Sequence, residues 1–176
     1  ICLVPVFVLA ILSPWPEWVG LPGITMEAKC VIAAGIFILI SCTDWIDGYL
    51  ARSRGEVTDF GKFMDPLADK LLVMSAMAWF VQAGWMAAWA FFLVIARELA
   101  VTGLRLVAVE QGRVIAAAKS GKVKTASTMV CICLMLLLSN AATLRLVCVW
   151  IILLTTIYSG IEYFIKNRDV LANGEM

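Results

Sequence analysis

The chain reads as six apolar runs parted by short polar breaks, at about 1–13, 28–52, 61–82, 85–110, 121–139 and 144–166. A helix needs roughly 20 residues to cross a hydrocarbon core, which the last five runs supply and the first does not. The break SPWPEWVGLPG is turn-rich and holds two tryptophans, as suits a membrane–water boundary. QAG at 82–84 predicts a tight connection, QGRVIAAAKSGK a longer basic one, and SNAAT a short one. The aromatic stretch MAWFVQAGWMAAWAFF reads as bulk facing lipid or the interface. The pattern predicts an all-α integral membrane protein with six transmembrane helices, in one domain over 1–176.

Composition fits that picture. The 176 residues are 62% hydrophobic and 15% charged, whereas a soluble domain carries about half apolar and about a quarter charged residues. The net charge of +1 gives no reason to expect a nucleic-acid partner. The absence of histidine removes imidazole bases and imidazole metal ligands. The six cysteines lie in apolar runs without a CxxC pair and read as small hydrophobes with free thiols. The opening ICLVPVFVLAIL lacks the basic region and cleavage site of a signal peptide, and reads as the remainder of a helix whose start is missing.

Six alternating spans place both ends on one side. With the loop after the second run in the cytoplasm, that side and its helix ends collect 12 of the 14 lysines and arginines, leaving Lys29 and Arg145 opposite. The bias predicts a multi-pass membrane protein with both termini and its polar cluster facing the cytoplasm.

That cluster is made of carboxylates. Asp44 and Asp47 are three apart at the end of the second run, and Asp65 and Asp69 are four apart near the start of the third. Both spacings put side chains on one helix face, one turn from each other. The short link between the runs predicts neighbouring helices, so four carboxylates converge near the cytoplasmic surface. Such a group takes up protons or binds cations. Oxygen ligands without histidine select hard ions such as Mg²⁺, Mn²⁺ or Ca²⁺, and four carboxylates are more than one Mg²⁺ usually takes from protein. A two-metal site follows, of a kind that suits displacement at phosphorus. Glu56 and Asp59 fall off the pattern and read as solvated loop charges.

Gly48 follows Asp47 and Gly61 precedes Asp65 by one turn. A mid-helix glycine costs about 1 kcal/mol against alanine, so close approach of a ligand, or tight helix packing, has to offset it. Arg52 lies two turns beyond Asp44 on the same face, placed to hold phosphate oxygens.

Asp44-Trp-Ile-Asp47-Gly48-Tyr-Leu-Ala51-Arg52, then eight residues, Gly61, three residues, Asp65, three residues and Asp69, resembles the CDP-alcohol phosphotransferase signature at every defining position. The resemblance covers nearly the whole chain, since that family's core is six transmembrane helices. It implies transfer of a phosphatidyl group from a CDP-linked lipid to an alcohol, with release of CMP. It implies two divalent cations, Mg²⁺ or Mn²⁺, on Asp44, Asp47, Asp65 and Asp69, with Asp69 also acting as base on the attacking hydroxyl. Gly48 and Gly61 would make room for the cytidine, and Arg52 would hold the diphosphate. It also implies a homodimer. The chain departs from the family at its start, where ICLVPVF stands without the usual polar stretch of Asn, Thr and Arg.

The later runs bear on the acceptor. Arg97 and Arg105 are eight apart and share a helix face, with Glu98 beside them to steady one; Lys122 and Lys124 stand at the start of the fifth run. These four cations suit a dianionic phosphate. The plainer reading of Lys119, Lys122 and Lys124 is contact with anionic headgroups. The strings IARE, TGLR and GKVKT resemble the bacterial phosphatidylglycerophosphate synthase branch of the family. That implies CDP-diacylglycerol as donor and sn-glycerol 3-phosphate as acceptor, in phospholipid biosynthesis. The rivals are a sister enzyme using inositol phosphate or serine, a divalent-cation transporter with carboxylates along its pathway, and a membrane scaffold. Glu162 and Lys166, four apart, predict a local ion pair.

Overall fold

The computed structural model describes residues 7, 8, 11, 26–54, 59–112, 115 and 118–169; at 44, 45, 47–54, 59–66 and 110 the description stops at the backbone. Among the described residues the long elements are five helices: α1 (Met26–Arg54), α2 (Asp59–Gln82), α3 (Ala88–Glu110), α4 (Lys119–Leu137) and α5 (Ala142–Lys166). The expected all-helical class holds. Of the first apolar run only 7, 8 and 11 are described; Phe7 and Ile11 are buried, and the Phe7 ring meets Phe37 edge-on at 5.6 Å.

Three of the five helices are long and apolar enough to cross a membrane: α1 over Met26–Thr43, α4 and α5. The other two, α2 and α3, carry Asp69, Lys70, Arg97 and Glu98 within their length. Phe37, Leu72, Phe80, Val94, Ile132 and Ile152 pack into one core. Leu39, Phe92, Leu99, Val130, Leu154 and Ile165 point outward with most of their surface uncovered. In water such a belt would drive association; in a bilayer it is the surface that meets lipid tails.

The turn after α2 corrects the expectation for the aromatic stretch. Gly84 takes a φ of +71°, its N–H bonds the Val81 carbonyl at 3.1 Å, and the Trp85 N–H bonds the Phe80 carbonyl at 2.8 Å. This left-handed glycine stop turns the chain sharply back on the last helical turn. Trp85 therefore stacks on Phe80 at 5.6 Å and meets Trp79 edge-on at 5.0 Å. Trp79, Phe80 and Met86 are buried, while Trp89 and Phe92 face outward. The stretch is half core and half periphery, because one tight turn folds it onto itself.

The short links fix which helix ends lie together. The end of α2 and start of α3, and the end of α4 and start of α5, are joined by 83–87 and 138–141. At this end Asn140 donates to Glu27, and Arg145 lies 4.6 Å from the Trp85 ring centroid. The end of α1, the start of α2, the end of α3, the start of α4 and the end of α5 belong to the opposite end, where the charged side chains gather. Glu162 and Lys166 pair there across one helical turn, as their spacing predicts. Of the cysteines, Cys30, Cys131 and Cys148 are buried and all described ones are free thiols.

Candidate active site

The charged end is built from three helices around Glu98. On α3, residues 97, 98, 101, 102 and 105 recur at near-helical spacing and form one face. The Glu98 Oε1 atom accepts from Lys124 Nζ of α4 at 2.6 Å and from Arg97 Nη1 at 2.9 Å. Glu98 Oε2 lies 4.0 Å from Lys70 Nζ of α2. Lys70 donates to the Thr102 hydroxyl at 2.7 Å, and that hydroxyl donates to the Glu98 carbonyl oxygen at 2.8 Å. Three cations thus surround one carboxylate and leave the group positive.

Helix α5 completes the site. Arg97 Nη2 donates to Ser159 Oγ at 2.7 Å, and Arg105 Nε donates to the Tyr163 hydroxyl at 2.7 Å. Arg97 reaches Ser159 past Gly160, where a Cβ would stand 3.2 Å from Arg97 Cγ. The missing side chain lets the arginine pass without giving way.

Two adjoining cavities open on this network. The smaller, of about 180 Å³, is lined by Asp69, Lys70, Glu98, Lys124 and Thr128 among others. The larger, of about 470 Å³, is lined by Lys70, Arg97, Glu98, Thr102, Arg105, Lys122 and Tyr163 among others. Lys70, Glu98, Thr125 and Met129 belong to both walls.

The residues singled out in the sequence are placed as follows. Arg97, Arg105 and Lys122 line the larger cavity together. Lys124 belongs to the smaller one, buried and bound to Glu98. Asp69 lines the smaller cavity with Lys70 and Lys124, one wall away from Arg97, Arg105 and Lys122. The backbone of Asp44, Asp47, Gly48 and Arg52 is helical on α1, and that of Gly61 and Asp65 on α2, but their surroundings lie outside the described residues. So does any convergence of the four carboxylates; among the described residues no set of three potential ligands comes together.

Lys70, Thr102, Ser159 and Tyr163 were not singled out in the sequence. Their signal is a polar group inside an otherwise apolar helix, which calls for a partner. The sequence leaves open which neighbouring helix supplies it.

Residues 1–158 match the family described as CDP-alcohol phosphatidyltransferase. The chain belongs to that family. The chain is 41% identical over 180 residues to the CDP-diacylglycerol–glycerol-3-phosphate 3-phosphatidyltransferase of Bacillus subtilis (strain 168), covering 97% of the chain and 92% of the relative. It is 38% identical over 171 residues to a probable phosphatidylglycerophosphate synthase of Mycobacterium tuberculosis (strain ATCC 25618 / H37Rv), covering 96% and 78%. A third relative, the CDP-diacylglycerol–glycerol-3-phosphate 3-phosphatidyltransferase of Haemophilus influenzae, is 32% identical over 170 residues, covering 93% and 85%. The resemblance read from the aspartate string and from IARE, TGLR and GKVKT is borne out at both levels, family and branch.

Proposed function

We propose that the protein transfers the phosphatidyl group of CDP-diacylglycerol to sn-glycerol 3-phosphate, giving phosphatidylglycerol phosphate and CMP. The observation that carries this reading is the pair of cavities: a cation-lined space large enough for a phosphomonoester, adjoining one lined by Asp69. A neutral acceptor would not need Arg97, Arg105 and Lys122 together. The relatives' names favour the same reading over inositol phosphate or serine as acceptor, and over a transporter.

The acceptor phosphate sits in the larger cavity among Arg97, Arg105 and Lys122, with Lys124 adding positive charge from behind Glu98. The primary hydroxyl reaches toward Asp69, whose carboxylate takes its proton. The freed oxygen attacks the phosphorus that bears diacylglycerol in line, the phosphorus–oxygen bond to CMP breaks, and CMP departs. Gly48, Gly61 and Arg52 seat the cytidine and diphosphate.

Asp44, Asp47, Asp65 and Asp69 are the residues to hold two divalent cations, Mg²⁺ or Mn²⁺. The fit rests on an all-oxygen donor set, on α1 packing against α2, and on Asp69 opening to a cavity. Bound there, the ions supply charge neutralisation for the diphosphate and the leaving CMP.

Six membrane spans, a site facing the cytoplasm of a bacterial cell, sideways entry of the donor between helices and a homodimer complete the reading. The charge bias of the sequence supports the orientation. Lys29 and Arg145, the two cations assigned to the far side, lie on the starts of α1 and α5, away from the charged end.

Acceptor competition on the purified protein tests the proposal. With CDP-diacylglycerol and Mg²⁺ or Mn²⁺, glycerol 3-phosphate should support turnover and exclude inositol phosphate and serine. Turnover with inositol phosphate alone would sink the assignment. The Gly160 contact gives a finer check. In Gly160→Ala the new methyl would stand 3.2 Å from Arg97 Cγ, so the arginine has to give by a few tenths of an ångström, and the KM for glycerol 3-phosphate should rise by about two- to fivefold. An unchanged KM would mean that Arg97 does not meet the acceptor.

A further inference from the structure

We propose that Lys70 binds the acceptor at the divide between the two cavities and positions its hydroxyl for Asp69. The inference rests on the reaction proposed above and adds a residue to it.

Lys70 and Glu98 are the charged side chains common to both cavity walls among the described residues. Glu98 repels an incoming phosphate, so Lys70 is the shared group that can grip the acceptor as it passes from one space to the other. The helix explains its place. Successive residues diverge by about 100° around the axis, so Asp69 lines the smaller cavity while Lys70 reaches the wall between them.

The tether of Lys70 leaves it able to bind. The Thr102 hydroxyl spends its proton on the Glu98 carbonyl oxygen and offers a lone pair to the ammonium. A neutral acceptor holds the ammonium in place without cancelling its charge. An ammonium has three N–H donors, and Thr102 takes one of them. Glu98 Oε2 stands at 4.0 Å, beyond a hydrogen bond, while Oε1 is already shared by Lys124 and Arg97.

Comparison with Lys124 separates a binding role from a structural one. Lys124 keeps only 7% of its side-chain surface exposed and sits 2.6 Å from Glu98, as befits a counter-charge. Lys70 keeps 35% and faces both cavities. If Lys70 served only to balance Glu98, a seat like that of Lys124 would be expected.

Steady-state kinetics on purified full-length protein test this, using wild type, Lys70→Met, Lys70→Arg and Thr102→Val. At saturating CDP-diacylglycerol, Lys70→Met should raise the KM for glycerol 3-phosphate by about ten- to a hundredfold, the loss of one charge-assisted hydrogen bond. The KM for CDP-diacylglycerol should stay within about twofold. Lys70→Arg should recover part of the acceptor affinity, and Thr102→Val, which frees the ammonium, should fall between. If Lys70→Met does not fold, Lys70→Arg and Thr102→Val read out the same acceptor KM. An unchanged acceptor KM, or a parallel rise of both KM values with a lowered melting temperature, overturns the proposal. A wild type that makes no phosphatidylglycerol phosphate overturns the reaction itself and the proposal with it; an active wild type with insensitive variants overturns the proposal alone.

Discussion

Asp69→Asn is expected to lower CMP release by about 10²- to 10⁴-fold, the usual contribution of a positioned general base. The substitution keeps the size and shape of the side chain, so the smaller cavity stays open. An amide neither accepts the hydroxyl proton nor offers a full anionic charge to a hard cation. The loss should lie in kcat, since Asp69 lines the smaller cavity while Arg97, Arg105 and Lys122 line the other. Unfolding in detergent should match wild type, which separates lost chemistry from lost fold. A variant that keeps near-normal turnover would remove Asp69 from the chemistry. A transporter or a scaffold gives no CMP release to lose.

The largest expected effect on stability falls at Glu98. Its carboxylate is the shared partner of Lys124 and Arg97, both largely buried. Glu98→Ala leaves a buried ammonium without its anion, a change that costs about 3–5 kcal/mol. Arg97 keeps Ser159, so Lys124 bears most of the loss. The pair itself contributes far less than that figure, because desolvating two charges offsets most of their attraction. It follows that Glu98→Ala/Lys124→Met should be more stable than Glu98→Ala alone, although two residues have changed instead of one. Equilibrium unfolding of the two variants and wild type in one detergent reads this directly. A Glu98→Ala protein that melts with wild type would show that Lys124 is not held by this carboxylate.

Much of the helical layout was legible in the sequence, because a bilayer leaves few alternatives to the helix. The last five apolar runs agree with α1 to α5 within two or three residues at each boundary. The largest shift is the start of α3, at Ala88 where the run began at 85. Hydropathy counts Trp85 and Met86 as helix, but their backbone N–H groups close the turn on Phe80. Three helices qualify as spans on length and apolarity, where six spans were expected. The helices in between, α2 and α3, carry the charges that make the site.

The site was legible wherever it follows one helix. Arg97 and Arg105, eight apart, do share a cavity. Lys122 and Lys124 were grouped by proximity in sequence, yet two residues correspond to about 200° of helical rotation. They line different cavities. Ser159 and Tyr163 were out of reach for another reason: the packing of α5 on α3 is a tertiary fact with no local trace. Glu98 was read as a steadying neighbour of an arginine. It also holds Lys124 across to α4, which no spacing within α3 predicts.

The most direct test of the central claim is product stoichiometry. Purified protein is given CDP-diacylglycerol, sn-glycerol 3-phosphate and Mg²⁺ or Mn²⁺, and CMP and lipid products are counted together. The account predicts one phosphatidylglycerol phosphate for each CMP, with neither formed when glycerol 3-phosphate is left out or the divalent ion is chelated. CMP released at the same rate without the acceptor, or a phosphatidyl product formed only with a different alcohol, would contradict it.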